Sequence, residues 1–207
     1  EVLISGLCVD QQAALFGHRA LEIGQAKITY GTGCFALANV GSSSACRAPG
    51  LLTCVGWRIG DKTSYVFDGG VYSAGSLVEL LVELGLAEST EDTGRLALMV
   101  DDSDGVMLIP AFSGLAAPHW SGRTRACWIG MNQGTNNRHL VRAAFEAIAF
   151  RVKEILDAME ASDVLVQGVN VDGGLAQSDV LMQLQADVLG LPVRRSATPE
   201  FTALGVG

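Results

Sequence analysis

Tyr30-Gly31-Thr32-Gly33-Cys34-Phe35 lies between two β-like runs, Ile28-Thr29-Tyr30 before it and Cys34-Phe35-Ala36-Leu37-Ala38 after it. A glycine-rich bend between such runs reads as a hairpin. Paired glycines also leave backbone N–H groups uncovered and let an anion approach closely, with the Thr32 hydroxyl as a further donor. The hexapeptide is therefore either a phosphate cradle or an ordinary tight turn, and taken alone it does not choose between them.

Outward from this bend the pattern continues as a second hairpin, Leu51–Trp57 and Thr63–Asp68 around the polar turn Gly60-Asp61-Lys62. Upstream, the apolar run 2–8 reads as a strand and Asp10-Gln11-Gln12-Ala13-Ala14-Leu15-Phe16 as a helix that Asp10 opens or caps. Downstream, Val71–Leu84 carries Leu77, Leu80, Leu81 and Leu84 at helical spacing and stops at Gly85. Ser89–Thr93 reads as a polar connection, and Val106–Ile109 as a buried strand ending at Pro110. The clearest helix is 136–161, where Leu140, Ala144, Ile148, Val152, Ile155 and Met159 form one apolar stripe and Arg142 and Glu146 can pair on the other side. Val164–Val171 as a strand, Asp172-Gly173-Gly174 as a turn, Ser178–Leu189 as a helix and Leu191–Arg194 as a last strand complete the pattern. Hairpins followed by alternating strands and helices predict an α/β domain with a mixed sheet.

Composition narrows the function classes. The 207 residues, 49% of them apolar, suffice for a sizeable core. No apolar run reaches the roughly 20 residues of a spanning helix. The net charge of −8, without a basic cluster, argues against nucleic acid as a partner. Five cysteines without a C-x-x-C pair suggest neither a disulfide framework nor a zinc site, and fit a reducing cytoplasm with the thiols as small buried hydrophobes. The chain opens at Glu1 and ends on what reads as the first turn of a helix, so both ends look like cuts in a longer protein.

Three further positions carry candidate chemistry. Asp172-Gly173-Gly174 stands at a strand-to-helix junction, where backbone donors and the helix dipole can receive a nucleotide or the chain can simply turn. Gly75, early in a helix, is a close-packing glycine or a bare surface for an adenosine. Asp10 is a helix cap or a carboxylate able to take a proton from a substrate hydroxyl. His18, His119 and His139 show no metal-ligand spacing.

These signals fall in one order: Asp10-Gln11-Gln12-Ala13-Ala14-Leu15-Phe16-Gly17, Tyr30–Phe35, Asp68-Gly69-Gly70-Val71-Tyr72-Ser73-Ala74-Gly75, the run from Pro110 through Ser113-Gly114 to Pro118-His119-Trp120, Val171-Asp172-Gly173-Gly174, and Leu181–Asp187. The segment from Ala126 to Glu146 extends the series. In this order the chain resembles the FGGY carbohydrate kinases over nearly its whole length, and among them the members that phosphorylate glycerol. The resemblance implies the actin-like, ribonuclease H-like ATPase fold, with residues 1 to about 20 as the tail of the first lobe and 21–207 as most of the second, truncated at its C-terminus. It implies ATP-dependent conversion of glycerol to glycerol 3-phosphate by the full-length protein, with Mg²⁺, in the cytoplasm, as a homo-oligomer and with no nucleic acid or membrane span.

Carried over by position, the resemblance makes Asp10 the general base, Gln11 a hydrogen-bond partner of the polyol and Phe35 a surface for its carbon backbone. Thr32 and Gly33 would cradle phosphates, while Gly75, Glu79, Gly174 and Ser178 would border the nucleotide. The sequence departs from the family pattern at Glu79, where glutamine is common, at Ser178, where asparagine is common, and at Val9, Ala116 and Ser121. Another polyol such as erythritol, a ketose such as xylulose, or a non-catalytic actin-like nucleotide binder are the alternative readings. A fragment without the first lobe is expected to be inactive.

Overall fold

The computed structural model describes residues 6–196 and 201–206. Most of the run 2–8 lies outside them, and Gly6–Val9 belong to no element. The first element is helix α1 (Asp10–Gly17), followed by the hairpin β1 (Ala26–Tyr30) and β2 (Cys34–Gly41) and the hairpin β3 (Leu52–Ile59) and β4 (Lys62–Val71). Then come α2 (Gly75–Glu83), α3 (Thr90–Ala97), β5 (Met107–Ile109), β6 (Cys127–Ile129), the long α4 (Asn137–Glu160), β7 (Val169–Asp172), a 3-10 turn at Gly174–Gln177, α5 (Asp179–Leu189), β8 (Val193–Arg195) and α6 (Phe201–Val206).

Six strands form one mixed sheet in the order β3-β4-β2-β1-β7-β8. The hairpins pair antiparallel, whereas β7 joins β1 in parallel and β8 joins β7 in parallel. β5 and β6 form a separate two-stranded ribbon.

Strand alternation sorts the two faces of the sheet. Ile28, Tyr30, Ala36, Phe67, Val169 and Val171 point into the main core, which α4 closes with Ile148, Val152, Ile155 and Met159 and α5 with Leu181 and Leu184. Tyr30 ties this layer together, because its hydroxyl donates to Gln185 Oε1 at 2.8 Å and Gln185 Nε2 donates to the Ala149 carbonyl at 3.2 Å. The opposite face carries a smaller cluster in which Leu15 of α1 and Ala20 pack on Leu37 and Val66, with Phe16 edge-on to Trp57 at 5.2 Å. On that second face the sequence also places Lys27, Thr29, Phe35, Asp68 and Asp172.

Several boundaries move for identifiable reasons. α2 begins at Gly75 instead of Val71, because 71–74 finish β4 and turn onto the bend. The strand expected from Val164 starts at Val169. The last strand is Val193–Arg195. Asp10 is the first helical residue of α1, with Val9 in the cap position, so it is not the helix cap. Asn136 and Ser178 act as caps, Asn136 in a reciprocal arrangement with His139. Ser89–Thr93 contains the start of a helix, α3, capped by the Ser89 hydroxyl. Not all thiols are buried: Cys34 is, Cys8, Cys46 and Cys54 are partly so, and Cys127 is exposed.

Candidate functional site

The bend at 31–33 is held from behind by α2. Gly75 N donates to Gly31 O at 3.0 Å, and Ala74 N and Ser76 N both donate to Thr32 O, at 3.0 and 3.1 Å. These are helix N-terminal donors that would otherwise lack partners, and here they consume the bend's carbonyls. The Gly31 amide turns inward to Gly33 O at 2.9 Å. Among the described residues neither Thr32 nor Gly33 gives its own amide to a protein acceptor. Carbonyls are thus tied down and amide donors left open, the polarity an anion requires.

Beside this bend a cavity of about 340 Å³ is lined by Thr32, Gly33, Phe35, Asp68, Gly70 and Trp120, among others. The Phe35 ring lies over Gly70, where an added Cβ would meet it at 3.6 Å. Phe35 is 41% exposed, which for a phenylalanine on a sheet face leaves an apolar surface free for a ligand.

The acidic side of this face is organised by a residue that sequence reading missed. Lys27 is fully buried. Its ammonium donates to Gln11 Oε1 and, at 2.6 Å, to Thr29 Oγ1. Burial pulls its pKa down to about 8, against the opposing charges of Asp172, Asp68 and Asp10. Asp68 is raised, chiefly by burial, with Lys27 pulling it down and Asp10 pushing it up. For Asp172 burial also opposes ionisation, but the His18 hydrogen bond, the nearby Thr29 hydroxyl and the charge of Lys27 outweigh it and hold the carboxyl low. His18 Nε2 meets Asp172 Oδ2 at 2.8 Å, and the His18 ring stacks on Phe201 of α6 at 3.9 Å. Asp10 itself is exposed, with Oδ1 accepting the Gln11 amide at 2.7 Å. Its charge is felt by both Lys27 and Asp68, and Asp68 lines the same cavity as Thr32 and Gly33. Asp10, Gln11, Phe35, Thr32 and Gly33 therefore share one side of the sheet.

A second cavity, of about 410 Å³, is lined by Val78, Thr93, Arg95, Gly174, Ser178 and their neighbours. Gly173 turns the chain into it with φ 91°, so tightly that an added Cβ would stand 2.3 Å from Tyr30 O. At Gly174, by contrast, an added Cβ would meet nothing within 4 Å. The Ser178 hydroxyl caps α5 by accepting from Leu181 N at 3.4 Å. Gly75 packs on the bend instead of bordering this cavity, and Glu79 is exposed on α2 one residue beyond the lining Val78. α2 thus starts at the bend and passes the second cavity one turn later. The α3 residues of this wall could have been found from Ser89 followed by Glu91 and Asp92, a capped and acidic first turn.

Residues 26–206 match the model of the FGGY family of carbohydrate kinases, C-terminal domain. This chain belongs to the FGGY carbohydrate-kinase family. Among its FGGY relatives, the glycerol kinase of Carboxydothermus hydrogenoformans is 47% identical over 204 residues, covering 98% of this chain and 41% of that protein. The crystal structure of Plasmodium falciparum glycerol kinase with ADP superposes with a TM-score of 0.87 at 34% identity, covering 95% of this chain and 40% of that one. A ligand-bound xylulose kinase from Lactobacillus acidophilus shares the fold, with a TM-score of 0.83 at 18% identity over 94% of this chain and 39% of that one. The chain spans about two fifths of the length of these FGGY proteins. The mixed sheet of the sugar kinases, with its actin-like ATPase fold, is the architecture found here. No helix among the described residues is long and apolar enough to cross a membrane.

Proposed function

We propose that this chain is the nucleotide-facing lobe of an ATP-dependent kinase that converts glycerol to glycerol 3-phosphate. The observation that carries the reading is that the exposed carboxylate of Asp10 and the open amides of the 31–33 bend lie on one side of one sheet, joined through Asp68 and its cavity. Similarity to proteins named glycerol kinase selects the alcohol.

In this reading residues 1 to about 20 are the tail of the first lobe and 21–207 most of the second. Asp10 takes the proton of the primary hydroxyl as the oxygen attacks the γ-phosphorus, Gln11 holds a neighbouring hydroxyl, and Phe35 packs on the carbon backbone. Thr32 and Gly33 stabilise the charge that develops on the transferring phosphoryl oxygens, where fixed backbone donors act without reorganising. Gly174 and Ser178 border the adenosine in the 410 Å³ cavity. Gly75 acts by seating the bend, and Glu79 lies near the nucleotide without walling its cavity. The other lobe closes over the alcohol, excludes water and brings the carboxylates that hold Mg²⁺. Among the described residues no group of three or more His, Cys, Asp or Glu side chains is placed to hold a metal ion.

A panel of glycerol, erythritol and xylulose with coupled detection of ADP tests the assignment in the full-length protein. Glycerol is expected to give the highest kcat/KM. Asp10→Asn should lower kcat by about 10²–10⁴ while leaving the affinity for ATP nearly unchanged. Preference for a ketose would redirect the substrate, and unaltered turnover in the Asn variant would remove the assigned base.

A further inference from the structure

Lys27 stands out because nothing in phosphoryl transfer as outlined above uses it. A lysine fully withdrawn from solvent in the middle of a β-strand is costly unless each of its protons finds an acceptor. Two do: the side-chain oxygens of Gln11 and Thr29. The charged groups facing the ammonium are Asp10 at the start of α1, Asp68 on β4 and Asp172 on β7, the last paired with His18 at the end of α1.

An ammonium has donors and no acceptor, so it distinguishes the two ends of an amide. By taking Gln11 Oε1 it leaves the NH₂ end of that side chain for another partner. Gln11 is only partly buried, and it adjoins the exposed Asp10 on the first turn of α1. Lys27 therefore fixes both which way the Gln11 amide faces and where the first turn of α1 sits over the sheet.

We propose that Lys27 is a positioning residue of the alcohol site, a clamp whose buried ammonium holds the Gln11 carbonyl so that the Gln11 NH₂ group is presented to an acceptor hydroxyl of the substrate beside Asp10. The proposal deepens the glycerol-kinase reading and rests on it. It assigns Lys27 no contact with substrate and no part in the proton transfer. Its selectivity is the distinguishing feature: loss of the clamp harms recognition of the alcohol and spares the nucleotide, whose cavity lies beyond α2.

The experiment is a double-mutant cycle in the full-length kinase with Lys27→Met, Gln11→Ala and the pair. Lys27→Met should raise KM for glycerol about tenfold or more, the loss expected of one charge-assisted hydrogen bond, with KM for ATP changed by less than about twofold. In the Gln11→Ala background the same substitution should add little, because the group it acts through is gone. Additive effects, or equal rises in both KM values, would overturn the clamp while leaving the kinase reading intact. A wild type that phosphorylates no polyol would overturn both.

Should the Met variant not fold, wild type and Gln11→Ala decide the matter by pH. Burial lowers the pKa of this ammonium to about 8, and the neutral amine is a weaker donor to the Gln11 carbonyl without its charge, so KM for glycerol should rise through that pH in the wild type relative to Gln11→Ala. Parallel profiles would overturn the proposal.

Discussion

The amide of Gly75 donates to the carbonyl of Gly31 at 3.0 Å, and a methyl group added at Gly75 would stand 2.6 Å from that same oxygen. At Gly75 helix and bend are in direct backbone contact, with no side chain at that point to absorb a displacement, and the Ser76 hydroxyl donates to Thr32 O at 3.2 Å beside it.

Gly75→Ala should therefore push the start of α2 away from the bend and disturb both Thr32 and Gly33. Overpacking of this kind costs about 1–3 kcal/mol, which urea unfolding of the 207-residue chain would register. In the full-length protein kcat should fall along with stability, because the amides proposed to hold the phosphate lose their backing. A variant of wild-type stability and activity would show that the contact is easily relaxed.

The two adjacent glycines after Asp172 should behave differently. Gly173→Ala combines φ 91° with a 2.3 Å approach to Tyr30 O, so it is expected to destabilise the chain severely. Gly174→Ala meets nothing and should fold normally, yet place a methyl group in the 410 Å³ cavity and weaken nucleotide affinity. Thermal melts and ATP titration of both variants separate the roles, and a stable Gly173→Ala protein would contradict the first half.

Tyr30→Phe removes the donor to Gln185 Oε1 inside the main core. Leaving that oxygen buried without a partner costs about 1–3 kcal/mol. The shift should appear in the urea midpoint with the slope unchanged.

Alkaline pH isolates Lys27. Burial holds its ammonium at about 8 instead of 10.5, so between those values the unfolded chain binds more protons than the folded one and stability rises with pH. Cys34 and Tyr30, both raised by burial, act in the opposite sense, since their protons leave the unfolded chain first. The difference in unfolding free energy between wild type and Lys27→Met cancels the thiol and phenol. It is expected to grow in favour of the wild type from pH 8 to 10.5. A pH-independent difference would mean that Lys27 titrates in the folded chain as it does in water.

Local patterns carried much of the architecture. Glycine turns marked both hairpins, and the stripe from Ala144 to Met159 marked α4, with Arg142 and Glu146 pairing at 2.8 Å as their spacing predicted. As structure, the bend, the helix opening at Asp10 and the Asp172-Gly173-Gly174 turn were visible because backbone-exposing glycines and a polar residue ahead of an apolar helical run are local features. Lys27 was not, since its partners lie on α1, β4 and β7, and one charge inside an apolar strand says nothing about which carboxylates surround it. α3 escaped because it is short and polar, and β6 because its three residues gain meaning only from pairing with β5. The register of Val71–Ala74 was settled by the bend, a contact no periodicity encodes.

β1 carries Lys27 and Thr29 on the acidic side of the sheet and runs directly into Gly31. With a rise of about 3.3 Å per residue, the proposed anchor for the alcohol and the proposed cradle for the phosphate are spaced about 13 Å apart along a single rod of backbone. Breathing of the outer helices can tilt or shift that rod as a unit without altering its length. In the proposed kinase reading, the spacing between the two is thereby insulated from motions elsewhere in the lobe, and closure of the cleft would have only to bring the opposite wall into place.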